Sequence, residues 1–263
     1  MSDPGSGAPK SERVLLTFAR GGPGRYLSHL DTVRALQRTF ARAGLDLALS
    51  AGMRPKPRLA VGLPLPVGAA AVAELAVADV VAGCAGDDDR DAKENGARTG
   101  RWQASLHAAG PPGIEVLDVE PCSPGVRLQP RLAVYRWSLG VPEDATAAAV
   151  RSFVGESSVP IERNGPKGSR VVDLRTSIDA FEVRGTAHGC ELWFGVRHEA
   201  HGAARPSEVL EEVMRRNVIA GSDAGTAPDA DLTRCGVVYA GLAARGLAQE
   251  WLERHGSKTQ QAG

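Results

Sequence analysis

"RVLLTFARGGPGRYLSHLDTVRALQRTFARAGL", residues 13–45, sets the pattern from which the fold is read. In "RVLLTFAR" (13–20), Val14, Leu16 and Phe18 alternate with Arg13, Leu15 and Thr17, the period of a strand. "GGPG" (21–24) is a turn. Residues 25–45 then switch to helical spacing. Ser28 is a good N-cap, Asp31 suits the positive end of the helix dipole, and Gly44 ends the helix. At about 100° per residue, His29, Val33, Leu36 and Phe40 share one side. Arg34, Arg38 and Arg42 fall opposite, beside Asp31. The apolar side is expected on a sheet, with His29 on the buried stripe; the arginine side faces water or a partner.

The same strand–helix alternation continues outward. "LALSAGMRPKPRLAVGLPLPVG" (47–68) is extended and punctuated by proline. "AVAELAVADVVAG" (71–83) fits a strand or a short helix, and alternation around Val72, Leu75 and Val77 favours the strand. "CAGDDDRDAKENGARTG" (84–100) has almost no apolar content and reads as a flexible insertion. A short helix over 101–113 and a strand over 114–122 follow. The order then recurs: strand 131–141, helix 142–157, extended segments over 159–185, strand 190–199, helix 205–216, strand 234–241. The β-α-β-β-α-β order twice over predicts an α+β protein of two tandem ferredoxin-like domains, 13–123 and 130–241. Tails are expected at 1–12 and 242–263, the latter helical and then frayed.

At 263 residues and 43% hydrophobic content, the chain is long enough for two ordinary cores. No run approaches the roughly 18–20 apolar residues that cross a bilayer. "MSDPGSGAPKSER" has no apolar stretch of a secretory leader, so the expected compartment is the cytoplasm, with no membrane partner. Cys84, Cys122, Cys190 and Cys235 lie far apart without a C-x-x-C pair, which argues against zinc or iron–sulfur ligation and for four reduced thiols. The net charge is zero, yet Arg13–Arg58 holds nine Lys/Arg against two Asp. Compensating acid sits later, notably in "DDDRD" (87–91).

Two basic features stand out as anion-binding sites. One is the helical row Arg34, Arg38 and Arg42. The other is "MRPKPRL" (53–59), where each residue before proline is pushed to extended geometry. Arg54, Lys56 and Arg58 then project to one side of a proline-stiffened ribbon. Leu63, Leu65 and Val67 of "GLPLPVG" (62–68) are expected to pack beneath it. The two rows are expected to form one exterior patch. A second polar cluster, "NGPKGSRVVDLRTSI" (164–178), offers Lys167, Arg170 and Arg175 to an anion, with Asp173 as a competing partner. His29 in the first helical turn is a possible general base, with Arg25 or Tyr26 nearby. No P-loop, G-x-S-x-G, H-E-x-x-H or dinucleotide fingerprint occurs in a useful context, and H-x-x-H at His198 and His201 is a weak metal signal. Neither metal nor cofactor is expected.

"YLSHLDTVRALQRTFARAGL" (26–45) followed by "GMRPKPRLAVGLPLPVG" (52–68) resembles the radical SAM-linked protein family, found beside or fused behind a cobalamin-binding radical SAM protein. Fainter echoes stand at "KGSRVVDLR" (167–175), "RPSEVL" (205–210) and "LTRCGVVY" (232–239). The match departs in the ribbon, where Met53, Arg54 and Lys56 replace the aromatic, Asn and His of an aromatic-Asn-Pro-His-Pro pattern. The resemblance implies an accessory protein of a radical SAM enzyme, which binds that enzyme, RNA, or both. The chain lacks the C-x-x-x-C-x-x-C of a radical generator. At the level of fold, two ferredoxin-like domains with a histidine beside a basic helix are also similar to CRISPR repeat-processing endoribonucleases. That similarity implies the alternative, metal-independent RNA cleavage with His29 as base.

Overall fold

The computed structural model describes residues 11–81, 95–165, 168–198, 203–219, 231–245 and 247–255. The chain divides into two compact units, 1–129 and 130–263, of mixed α/β composition with antiparallel strands.

In the first unit, β1 (Ser11–Arg20) lies between β3 (Ala70–Val81) and β4 (Ile114–Pro121). The short β2 (Leu59–Val61) pairs with β3, so the sheet runs β4–β1–β3–β2. Val14, Leu16 and Phe18 share a face with Ala76, Ala78, Val80 and Val116. Leu36 and Phe40 of α1 (His29–Arg42) and Trp102 and Leu106 of α2 (Asn95–Ala109) cover that face. Each such large apolar side chain contributes about 1.5–3 kcal/mol through burial.

As the Ser28 cap predicts, α1 starts at His29; Pro23 nucleates a 3-10 turn over Gly22–Tyr26 and Leu27 is extended, so residues 25–27 stand outside the helix. Two features differ from expectation. The expected insertion ends early: residues 82–94 lie outside the described residues, but 95–100 are the opening turns of α2. Tertiary contacts hold that start, with Arg98 over the Trp102 ring at 5.1 Å and paired with Glu12. Finally, Val67 is 64% exposed, and of the three expected packing residues only Leu65 is fully buried.

The second unit repeats the connectivity. Its sheet runs β10–β5–β9–β8, from β5 (Pro130–Leu139), β8 (Ile178–Thr186), β9 (Gly189–Arg197) and β10 (Asp231–Tyr239). A separate hairpin, β6 (Pro160–Gly165) with β7 (Gly168–Asp173), and the one-turn α4 (Leu174–Ser177) intervene before β8. Phe194 stacks on Tyr135 at 5.7 Å and meets Phe181, which packs edge-on to Phe153 of α3 (Glu143–Gly155). Arg216 of α5 (Pro206–Ile219) lies over the same Phe153, so α3 and α5 share that face. On the opposite face, Trp193, Leu132, Val134 and Cys235 pack against Ala248 and Trp251 of α6 (Leu247–His255). The helical part of the expected tail is α6, where Trp251 is fully buried. Residues 1–10 and 256–263, the outer parts of the expected tails, lie outside the described residues.

Candidate functional site

The start of α1 is held by a buried arginine. Arg20, at the end of β1, donates from Nη1 to Thr32 Oγ1 at 2.9 Å and from Nη2 to the Arg25 carbonyl at 3.3 Å. Thr32 Oγ1 in turn donates to the Ser28 carbonyl at 2.9 Å. Arg25 is pinned on its other side: Gly68 N–H donates to its carbonyl at 2.8 Å, and its Nε donates to Gly68 O at 2.7 Å. Ser28 caps the helix, accepting from Asp31 N–H and donating to Asp31 Oδ2 at 2.7 Å. The Ser28 hydroxyl, and then Arg34, hold the Asp31 carboxyl below its ordinary range.

α1 buries a stripe turned about the helix axis relative to the sequence reading. The buried stripe is Thr32, Ala35, Leu36, Thr39 and Phe40. His29 and Val33 stand at its edge, half-buried, so His29 is not in the core. Threonine can occupy the stripe because Thr32 and Thr39 return their hydroxyls to carbonyls four residues back. Among the described residues His29 has no hydrogen-bond or ion-pair partner.

The outer face of α1 carries the arginine row. Arg34 pairs with Asp31 at 3.1 Å, while Arg38 and Arg42 are exposed without ion pairs among the described residues. The row is headed by two apolar side chains that face solvent, Leu30 at 64% exposure and Tyr26 at 70%. Leu30 precedes Arg34 by one helical turn and shares its side. The pinned Arg25–Gly68 contact brings exposed Val67 to the same end of the unit. Leu30 was legible from the helical wheel; Tyr26 was not, because it precedes the helix.

The ribbon forms a different feature. Ser50 N–H donates to the Lys56 carbonyl at 2.8 Å, Lys56 N–H to Ser50 Oγ at 3.0 Å, and Arg58 N–H to the Ala48 carbonyl at 2.7 Å. Residues 47–58 are thus a hairpin, with Gly52 at φ 121° in its tip. Leu59 pairs with Ala78 and packs with the helices. One residue earlier, Arg58 lies on the opposite face of the sheet, where its Nε meets Asp79 Oδ2 at 2.8 Å. Arg13 Nε meets the other oxygen of Asp79 at 2.6 Å. Arg58 is thereby separated from the arginine row: the row lies on the helix side of the sheet, while Arg58 lies on the other face. Arg54 and Lys56 stand further out, in the hairpin beyond the pairing with β3. Arg58 is also already paired, whereas Arg54 and Lys56 are exposed without ion pairs among the described residues.

In the second unit, Arg175 lines an open cleft of about 310 Å³ with Val154, Gly155, Glu156, Ser157 and Thr176. Its Nε donates to the Glu156 carbonyl at 3.3 Å, and Asp173 caps its backbone N–H. Arg170 is exposed on β7, and Lys167 lies outside the described residues. Burial pushes the His198 imidazole down to about 4, and the nearby Arg234 guanidinium adds to the shift; His201 is outside the described residues. Cys122, Cys190 and Cys235 are free thiols, and burial pushes Cys235 up to about 12. Cys84 lies outside the described residues. Among the described residues, no group of three His, Cys, Asp or Glu side chains is placed to hold a metal, and no helix is long and apolar enough to cross a membrane.

A family model described as "Uncharacterized protein conserved in bacteria (DUF2344)" matches residues 13–206. No curated protein matches the chain. One solved structure, described as "Crystal structure of putative glycine cleavage system transcriptional repressor", is similar at 8% identity and a TM-score of 0.22. The match covers 87% of this chain and 98% of that one, at a score too low to argue from.

Proposed function

The chain belongs to that bacterial family, and we propose that it is a non-catalytic, cytoplasmic accessory protein that docks on a radical SAM enzyme through the outer face of α1. The observation that carries this reading is the exposure of Tyr26 and Leu30 beside Arg34, Arg38 and Arg42. Tyrosine and arginine are enriched at the energetic centres of protein interfaces, and the exposed leucine beside them adds apolar area to bury. The row suits an acidic rim on the partner and speeds encounter at low salt. The identity of the partner follows from the resemblance of residues 26–68. Both units are read as ferredoxin-like domains. Their β-α-β-β-α-β order, and a first strand flanked by the third and fourth, support that reading. In the second unit the β6–β7 hairpin is then an insertion.

The test is a pull-down with tagged full-length chain, with and without ribonuclease, followed by mass spectrometry. The reading predicts that a cobalamin-binding radical SAM protein is retained after ribonuclease and lost with Leu30→Glu. If the wild type does not retain it, or Leu30→Glu retains it equally, the reading fails. The ribonuclease alternative rests on His29, and no observation at that residue favours it. It would be revived by RNA cleavage that His29→Ala abolishes.

A further inference from the structure

The hairpin tip, carried out from the edge of the first sheet between residues that pair with β3, is unused by that docking face. Met53 is fully exposed at its apex, among exposed Ala51, Gly52, Arg54 and Pro55. Arg54 and Lys56 flank it without ion pairs among the described residues. Pro55 and Pro57 stiffen the arm, and the Ser50–Lys56 backbone bond closes it. We propose that this tip is an RNA-contacting arm: Met53 packs on an unstacked base while Arg54 and Lys56 neutralise neighbouring phosphates.

Size selects this occupant. A stable protein interface needs about 800 Å² from each partner, and the tip offers one fully exposed methionine with Leu49, 59% exposed, on the arm behind it, which falls far short. One base and its phosphates match it. Magnitude then selects the RNA state. A thioether against an aromatic ring gains about two- to tenfold in affinity. Opening a stacked duplex step costs on the order of a hundredfold. The arm therefore takes a base that is already unstacked, as in the loops where RNA is commonly recognised. Arg58 adds no phosphate contact, because Asp79 holds it.

The experiment titrates full-length protein into a labelled RNA stem–loop with an unpaired loop, and into a fully paired RNA duplex of equal length, over a range of salt. Two released cations predict a log–log salt slope of about −1.4 on the stem–loop. Arg54→Glu with Lys56→Glu is expected to lower stem–loop affinity at least about tenfold. Met53→Ala should lower it about two- to tenfold with the salt slope unchanged, and should leave duplex binding alone. Arg38→Glu with Arg42→Glu should leave RNA affinity intact, which separates this arm from the α1 face. Equal affinity for duplex and stem–loop overturns the proposal. So does full competition by polyglutamate, or loss of RNA binding on reversing the α1 row but not the hairpin.

Discussion

Arg20 shows how much of the α1 face depends on one buried side chain. Its guanidinium is 3% exposed and ties Thr32 of the helix to the Arg25 carbonyl, which is itself bonded to Gly68. Thr32→Val keeps the shape of the side chain but removes the acceptor for Arg20 and the donor to Ser28. A loss of about 1–3 kcal/mol in urea unfolding is expected, because a buried guanidinium N–H loses its partner. His198 gives a pH-dependent counterpart in the second unit. Its folded pKa of about 4 lies below the ordinary 6.5, so the unfolded chain binds the proton more readily over that window. The stability linked to the neutral ring is complete above pH 6.5 and is lost as pH falls towards 4. Among the described residues its Nε2 is buried without a hydrogen-bond partner, so His198→Leu should flatten the fall in stability between pH 7 and pH 5. An equally steep fall in the variant would show that the ring does not titrate as described.

At the scale of elements, the entrance to α1 is also shaped by a backbone crossing. Gly24 and Gly113 touch so closely that a Cβ on either would overlap the backbone of the other, and Gly113 has φ 88°. Gly113→Ala should therefore cost about 2–5 kcal/mol by thermal or urea unfolding, and Gly21→Ala, which has open space, much less. The cap at Ser28 and strand β1 were legible because local chemistry and period decide them; β3, buried along most of its length, does not alternate and was open to a helical reading. The face that His29 takes was not legible, because Thr32 and Thr39, polar in the sequence, join the buried stripe by returning their hydroxyls to carbonyls. The start of α2 was hidden as well: Asn95–Gly100 looks like a polar loop until Glu12 meets Arg98. The separation of Arg58 from the arginine row turns on register. A one-residue difference between Arg58 and Leu59 decides which side of the sheet each occupies, and only the pairing with β3 fixes it.

At the scale of the molecule, two units with the same internal connectivity carry different surfaces. The second unit covers one sheet face with α3 and α5 and the other with α6, whose Trp251 and Ala248 sit against Gly195 and Gly236. The first unit exposes an apolar and arginine-rich helix face, and a basic hairpin at the edge of its sheet. Recognition by the α1 face is the central claim, and it is tested most directly by calorimetric titration of the cobalamin-binding radical SAM protein into three proteins: wild type, Leu30→Glu, and Arg38→Glu with Arg42→Glu. The account predicts saturable binding to wild type, at least about tenfold weaker binding for each variant, and salt-sensitive affinity that charge reversal flattens. Binding of all three with one affinity, or no binding to the wild type at any salt concentration, would contradict it.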